Sequence, residues 1–372
     1  MDILAASRTA FPANRIPRSV PGQRFPFYYS DRSNLWIDVD KRIALLRVAA
    51  CFMVILLHVS AGQFMTWDDK WWAGNFYDAL VRPCVPLFLM ISGATLLSRQ
   101  EPFPIFFRKR FVRVIPPLLF WSLFYLALSS YNGEKTGNWA ISILSGPTKF
   151  HLWYFYELIG LYLIVPILRK FFQGGSLQDK HWLLGIWFVL AVIVPVTRNL
   201  LKLRFPWADI FDQSLSNFNF SLYQGFAGYL VLGAYAAESK CGAKTGLFMF
   251  ISASLCTMAG TFFVSSYLGK PSELFFDYLS PFVVVAAYGL FVVFMAMKPG
   301  PPSKLVSVIG ECTLGIYGLH IFIIDPVFEK NGFSAASGNP WLTIPLVSVC
   351  VFLLSFAVIY LLRLVRPLRY FI

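Results

Sequence analysis

The sequence predicts an all-α protein, a polytopic membrane helix bundle with about ten transmembrane helices and both termini cytoplasmic. Of its 372 residues, 57% are hydrophobic and 14% are charged, and the mean hydropathy is +0.61. A soluble domain carries about 25% charged residues. Segments long enough to cross a hydrocarbon core of about 30 Å recur along the chain, at 43–64, 78–98, 114–131, 152–169, 182–198, 221–237, 246–267, 279–297, 305–325 and 342–362.

The distribution of basic residues predicts the orientation of these spans. Lysines and arginines near the spans are concentrated in alternate loops, such as the loop that carries Arg108, Lys109, Arg110 and Arg113. Because such loops stay on the cytoplasmic side, both termini are expected there. The net charge of +13 is spread over loops rather than over one stripe. It therefore indicates contact with anionic lipid and no nucleic-acid partner.

Two regions differ in composition. Residues 1–40 are polar, rich in Pro, Arg and Ser, and lack the apolar core of a secretion signal. They are expected to form a disordered cytoplasmic arm or a segment that docks a partner. Residues 41–372 form the predicted transmembrane domain. The six cysteines have no paired spacing, so neither a disulfide framework nor a metal site is expected. The common nucleotide-binding and zinc-peptidase motifs are also missing from the sequence.

The first span contains two ionisable residues with only uncharged residues between them, Arg47 and His58. Eleven helical steps bring both side chains to one helix face, about 16 Å apart along the axis. Arg47 is then near the inner surface and His58 in the outer half of the membrane. Ionisable groups at membrane depth are costly and mark functional sites. A neutral imidazole can take a proton from a hydroxyl and return it, whereas the simpler alternative is a histidine that only joins helices.

The third span begins with two arginines on one helix face, Arg110 and Arg113. Their fork-shaped guanidinium groups suit bidentate capture of phosphate. The alternative is that basic residues at an inner helix end reflect topology alone.

Further candidates are predicted to contact an extracytoplasmic polar substrate. His151 and Trp153 lie at the outer end of span four, and His320 lies in the outer part of span nine. All three are also residue types that anchor helices at a membrane interface. Glu157 and Glu311 are acids within spans, and pairing with an arginine or with backbone is the alternative for both.

Taken together, these residues describe a path across the bilayer with a basic inner end, a histidine about two-thirds of the way across and a polar, aromatic outer opening. Such a path suits an acyl thioester of coenzyme A whose phosphates stay at the arginines while its arm reaches the histidine. A transporter or flippase for a lipid-linked sugar would use the same polar path without acyl transfer. A third possibility is a membrane acyltransferase that relies on a lone intramembrane histidine, which would not need Arg110 and Arg113.

At these residues the sequence resembles the acyltransferase-3 family of integral membrane acyltransferases. Arg47 and His58 match its Arg, ten residues, His signature, and Arg110-Phe-Val-Arg113 matches its Arg-x-x-Arg signature. Similarity extends from about Trp36 to the last span. The start at Trp36, the His-Leu-Trp block and the block that ends in His320 are most similar to the enterobacterial common antigen O-acetyltransferase branch.

The resemblance implies transfer of an acyl group, usually acetyl from acetyl-CoA, to a hydroxyl of an extracytoplasmic or lipid-linked bacterial surface glycan. It also implies a location in the bacterial inner (plasma) membrane. It implies His58 as general base or acyl relay and Arg47 as its catalytic partner. Arg110 and Arg113 would bind the donor, which is a substrate, so no tightly bound cofactor is expected. The expected partners are acyl-CoA, the glycan acceptor and membrane lipid.

Overall fold

The computed structural model describes residues 40–210 and 225–372. Within these two ranges all regular structure is helical, which confirms the predicted all-α class. The α-helices of these ranges are α1 (Lys41–Phe64), α2 (Trp71–Val81), α3 (Cys84–Leu96), α4 (Phe103–Tyr131), α5 (Trp139–Ser145), α6 (Trp153–Gly174), α7 (Leu177–Trp187), α8 (Val194–Lys202), α9 (Ala227–Glu238), α10 (Ala243–Leu268), α11 (Pro281–Met295), α12 (Lys304–Phe322) and α13 (Pro340–Leu364). A π-helical segment, Phe188–Ile193, joins α7 to α8, and another, Ile323–Phe328, continues α12.

Nine helical stretches of the described chain are long and apolar enough to cross a membrane, which confirms the polytopic architecture. They are Lys41–Phe64, Trp71–Leu96, Phe103–Tyr131, Phe150–Gly174, Leu177–Lys202, Ala243–Leu268, Leu274–Met295, Lys304–Asn331 and Pro340–Leu364. The predicted span 221–237 begins outside the described residues and continues as α9. The predicted N-terminal arm, 1–40, which includes Trp36, also lies outside the described residues except for Asp40.

Several predicted span boundaries differ from those of the helices, and at the fifth stretch a polar capping turn extends the helix beyond its apolar segment. The fifth stretch begins at Leu177 rather than at 182. Ser176 caps it: the Ser176 hydroxyl accepts from the backbone N–H of Asp179 at 3.2 Å, and the Asp179 carboxylate accepts from the Ser176 N–H at 2.7 Å. This capping box satisfies the first backbone donors of the helix. Hydropathy does not detect such a turn, because its residues are polar.

Two hydrogen bonds join the ends of distant spans, one at each face of the bundle, as spans of alternating direction require. Where α1 begins, the Lys41 backbone N–H donates to the Gly300 carbonyl at 2.7 Å, in the loop between α11 and α12. At the opposite face, the Tyr77 hydroxyl donates to the Trp341 carbonyl at 2.8 Å, at the start of α13. We call the face of Lys41 the inner face and the other the outer face, following the predicted orientation. That the inner face is cytoplasmic stays a prediction.

The helix α9 also crosses from the outer to the inner face. Its last residue, Glu238, forms an ion pair of 3.3 Å with Lys180 near the inner start of α7. Just before its outer end, the Gly225 carbonyl accepts from the Trp187 indole N–H at 2.9 Å. The two helices are therefore antiparallel, as neighbouring spans five and six must be in the predicted topology.

Close approach of backbones fixes α9 against α3. A Cβ on Gly93 would collide with the backbone of Leu230, and a Cβ on Gly233 would collide with the backbone of Met90. Small residues at helix crossings in membranes let backbones come close enough for extensive van der Waals contact. Both glycines are buried, so neither position has room for a side chain.

The helix α1 lies at the centre of the bundle. In the most apolar segment of Lys41–Phe64, 67% of the residues are buried, compared with 22% in the corresponding segment of Leu177–Lys202. A helix that is buried on most faces has protein neighbours on those faces, whereas a lipid-facing helix has one apolar side exposed. Arg47 and His58 are therefore carried by a helix that packs mainly against protein.

Candidate active site

Arg47 and His58 lie on the face of α1 that packs against α12. Between them on this face, the Cys51 thiol lies 3.7 Å from the Thr313 carbonyl of α12. Both Arg47 and His58 are half-buried. The His58 ring contacts neighbouring rings but forms no hydrogen bond with any described residue. Its nitrogens are therefore available to another molecule.

The structure brings three histidines together, His58, His151 and His320, which we call the histidine cluster. The ring centroids of His58 and His320 are 5.2 Å apart, and those of His151 and His320 are also 5.2 Å apart. His151 belongs to the 3₁₀ turn Phe150–Leu152 before α6, and His320 belongs to α12. The sequence placed all three in the outer half of the bundle but did not predict that they meet.

Hydrogen bonds to backbone carbonyls orient the two buried histidines. The His320 Nδ1 lies 2.6 Å from the Tyr317 carbonyl, and the His151 Nε2 lies 3.4 Å from the Gly318 carbonyl. A carbonyl only accepts, so these nitrogens carry the proton in the neutral rings. The other nitrogen of each ring, His320 Nε2 and His151 Nδ1, is buried and has no partner among the described residues. Each buried ring therefore has one free lone pair.

Two tyrosines hold the backbone around the cluster. The Tyr317 hydroxyl donates to the His151 carbonyl, and the Tyr125 hydroxyl donates to the Gly318 carbonyl at 2.8 Å. These bonds connect α4, α12 and the turn before α6. Buried, satisfied polar networks make one arrangement of the helices more favourable than its alternatives.

None of the acidic side chains considered in the sequence analysis pairs with the histidine cluster in the described residues. Asp78 forms two short contacts, 2.5 and 3.0 Å, with the buried Arg82 one turn later. Glu311 is exposed and pairs with Arg363 of α13 at 3.0 Å, which is the arginine pairing considered as its alternative role. Glu157 is half-buried on α6 and forms no ion pair within the described chain. No described carboxylate hydrogen-bonds a ring of the histidine cluster.

Toward the inner face, an arginine cluster gathers Arg47, Arg110, Arg113 and Arg169. Arg47 of α1 interacts electrostatically with Arg113 of α4, and Arg110 with Arg169 of α6. Arg110 lies 3.4 Å from Glu101, which also pairs with a lysine, and Arg47 has no carboxylate partner in the described residues. Positive charge therefore exceeds negative charge here, which suits a polyanionic ligand.

Arg169 is a residue of this region that the sequence analysis missed. Its Nε donates to the Leu96 carbonyl at 2.9 Å and its Nη1 donates to the Glu101 carbonyl at 3.2 Å. The guanidinium also lies 5.0 Å from the centre of the Phe106 ring. Arg169 thus holds the loop between α3 and α4. An arginine in the last turns of a span resembles any topological signal, so the sequence alone could not single it out.

A small cavity lies between the two clusters. Its lining is shared by α1, α3 and α12 and consists of Cys51, Val54, Ile55, Phe88, Ile316, Tyr317 and His320. All of the α1 residues in this lining lie between Arg47 and His58 in the chain. The cavity therefore lies on the path from the arginine cluster to the histidine cluster.

The remaining predicted site residue, Trp153, lies at the outer end of α6. Its ring stacks with Tyr278 at 6.0 Å and contacts Phe226 at 5.6 Å. Phe150, which is 56% exposed, lies closer to the catalytic candidate, with its ring centroid 5.4 Å from that of His58. Aromatic rings therefore lie at this end of the bundle, and their role as an opening for a substrate stays a prediction.

Comparison with known proteins gives one family. The sequence matches the acyltransferase-3 family, described as an acyltransferase domain, over residues 34–363. It is also 26% identical over 351 residues to an amino-acid racemase of Enterococcus faecalis. That match covers 88% of this chain but 46% of the racemase, so the chain spans less than half of the longer protein. No solved structure matches.

The matched region includes the arginine cluster, the cavity and the histidine cluster, and its helices are long and apolar enough to cross a membrane. The chain therefore belongs to the acyltransferase-3 family, whose model describes an acyltransferase domain.

Proposed function

We propose that the protein moves an acyl group, most simply acetyl, from cytoplasmic acyl-CoA to a hydroxyl of an extracytoplasmic or lipid-linked bacterial surface glycan. One observation carries the proposal: the half-buried His58, without a hydrogen-bond partner in the described residues, shares a helix face with Arg47 of the arginine cluster. A small cavity lies between them. A proton-transfer group and an anion-binding group are thereby held on one central helix.

The arginine cluster is the proposed binding site of the donor. Coenzyme A carries phosphates, and guanidinium forks bind phosphate oxygens through paired hydrogen bonds. Arg113 is exposed and Arg47 is half-buried, so both are accessible to such a ligand. Bound phosphate would also relieve the repulsion between these two arginines. We assign Arg110 to the same site, where Glu101 holds its side chain in place.

The proposed chemistry uses His58 as a general base. Its neutral imidazole takes the proton of the acceptor hydroxyl while the oxygen attacks the thioester carbonyl. The C–O bond forms, the C–S bond breaks, and the leaving thiolate takes the proton back from the imidazolium. An acyl-histidine that is formed first and then attacked by the hydroxyl gives the same products. The enclosed, largely apolar surroundings strengthen each of these electrostatic interactions.

The acceptor is proposed to enter from the outer face. Phe150 and Trp153 provide aromatic surfaces there, and the exposed ring of Phe150 borders His58. Aromatic surfaces suit the apolar faces of a sugar, and the Trp153 indole N–H is a donor suited to one of its hydroxyl groups. His151, His320 and Glu157 belong to the outer halves of their helices, where contact with the acceptor remains our prediction. The ion pair of Glu311 with Arg363 gives Glu311 a structural role that needs no substrate.

The test is transfer of radiolabelled acetyl from acetyl-CoA to glycan in membranes that contain the protein. We expect His58→Ala to reduce transfer at least about 100-fold, because general-base catalysis typically contributes that much. His181→Ala is the matched control, since His181 is an exposed histidine of α7 that bonds to Tyr235 and lies outside the histidine cluster. Transfer by His58→Ala at the wild-type rate would end the general-base assignment.

A transporter or flippase for a lipid-linked sugar is the alternative. It would move its substrate without a thioester, so a folded wild-type protein that neither binds acetyl-CoA nor transfers the label would favour this alternative. Transfer that depends on acetyl-CoA and on His58 would exclude it as the sole activity.

A further inference from the structure

The cavity beside the histidine cluster is small, enclosed and mostly apolar. Its free volume is close to that of one water molecule, which is also close to that of a methyl group. Val54 and Ile316 are buried, with 4% and 0% of their surface exposed. The one polar atom of the lining without a partner in the described chain is Nε2 of His320. A single water molecule needs two or more polar partners, so this lining favours an apolar occupant.

The position of the cavity connects it with the acyl end of the donor. Val54 and Ile55 lie one helical turn before His58 on α1, so the cavity is immediately inward of the candidate base. His320, which also lines the cavity, is 5.2 Å from His58 between ring centroids. When the carbonyl carbon of a thioester is presented to a hydroxyl beside His58, the alkyl group on that carbon is close enough to His58 to enter this cavity. The phosphates would remain at the arginine cluster farther inward.

We propose that this cavity is the pocket for the alkyl end of the acyl group and that it selects acetyl over longer acyl chains. The proposal rests on the proposed function and specifies its donor. The methyl group of acetyl fits a space of this size, whereas each additional methylene would have to displace Val54, Ile316 or Phe88. Extra methylenes in a packed interior force side chains and backbone to shift, which is unfavourable.

The residues that set the limit are Val54, on α1, and Ile316, on α12. Shortening either of them to alanine enlarges the pocket without touching His58, Arg47 or the arginine cluster. Val59 provides a matched control because it is a buried valine of the same helix, with 5% of its surface exposed, outside the lining.

The experiment is calorimetric binding of acetyl-CoA, propionyl-CoA, butyryl-CoA and free CoA to the detergent-purified full chain. The wild type is expected to bind propionyl-CoA about tenfold or more weakly than acetyl-CoA, since one methylene in a tight pocket has an effect of that order. In Ile316→Ala and Val54→Ala the two affinities should become similar. Val59→Ala should keep the wild-type preference. If Ile316→Ala does not fold, as judged by gel filtration, the smaller change Val54→Ala decides.

Three other results would overturn the acyl pocket. Equal affinities of the wild type for all three esters would overturn the acyl pocket while leaving the donor site intact. Equal weakening of all esters and of free CoA in the two variants would also overturn it, because the cavity would then hold the arm of the donor. Failure of the folded wild type to bind any CoA compound would overturn the proposed function itself, together with the pocket.

Discussion

Access distinguishes His58 from the two histidines beside it. His58 is half-buried, whereas His151 and His320 are 2% and 0% exposed. The buried pair is held by backbone carbonyls, while the His58 ring has no hydrogen bond from the described residues. A base must reach the proton that it removes, so accessibility favours His58 over the other two histidines for the proposed role. The neighbouring rings and their free lone pairs provide the polar surroundings that a deep imidazole requires.

At the same scale, the arginines differ in what their loss should change. Arg113→Ala is expected to weaken binding of acetyl-CoA about tenfold, since a hydrogen bond to a charged group contributes about 1.5–3 kcal/mol. The measurement is calorimetry on the purified protein. Arg108→Ala is the control, because Arg108 is an exposed arginine of the same helix outside the arginine cluster. Equal affinities in Arg113→Ala and wild type would make Arg113 a topological residue only.

The sequence could predict the relation between Arg47 and His58 because helical periodicity determines it. Both residues belong to one uninterrupted helix, so their common face and their spacing follow from the rise and turn per residue. Arg110 and Arg113 were predictable for the same reason. The contact between His58 and His320 was not, because it depends on how α1 packs against α12. Periodicity within one helix carries no information about the neighbouring helix.

At the scale of elements, the site depends on where helices are interrupted. The turn Phe150–Leu152 precedes α6 and brings His151 beside α12. The second span breaks between Val81 and Cys84, where Arg82 pairs with the buried Asp78. Sequence analysis did not place His151 beside α12 and did not pair Arg82 with Asp78. The four-residue spacing of Asp78 and Arg82 was an available signal for their pairing, whereas the position of His151 depends on tertiary structure.

The crossing of α3 and α9 gives a prediction about stability. Gly93→Val is expected to lower the free energy of unfolding by about 1–3 kcal/mol or more, because the new side chain collides with the backbone of Leu230. Thermal unfolding in detergent measures the change. Gly160→Val is the matched control, because a Cβ at Gly160 has nothing within 4 Å. Equal unfolding midpoints for the two variants would show that the crossing does not require glycine.

At the scale of the whole molecule, His58 and His320 lie on two of the three most buried helical stretches of the described chain. The most apolar segments of three stretches are the most deeply buried: 67% in Lys41–Phe64, 72% in Trp71–Leu96 and 67% in Lys304–Asn331. The first stretch carries His58, the second contains the break at Arg82, and the third carries His320. Spans such as Leu177–Lys202 are mainly exposed and therefore suited to face lipid. The protein thus surrounds its ionisable residues with protein, which lowers the cost of keeping them within a membrane.

The two clusters also make the inner and outer sides of the bundle chemically different. The arginine cluster is nearer the inner face and the histidine cluster nearer the outer face, with α1 joining them. Composition and basic residues predicted the spans and this polarity, because both follow from the cost of transferring charge into lipid. The identity of the proposed acceptor did not follow, since it would depend on side chains near the outer face that belong to several helices.

The most direct test of the account is the side from which the donor is used. Labelled acetyl-CoA, which does not cross a membrane, is added to sealed membrane vesicles of known orientation that contain the protein and its glycan. Transfer is expected when the cytoplasmic face is outward, and in vesicles of the opposite orientation only after permeabilisation. His58→Ala should be inactive in both. Equal transfer in sealed vesicles of either orientation would contradict an inner donor site and an outer acceptor site.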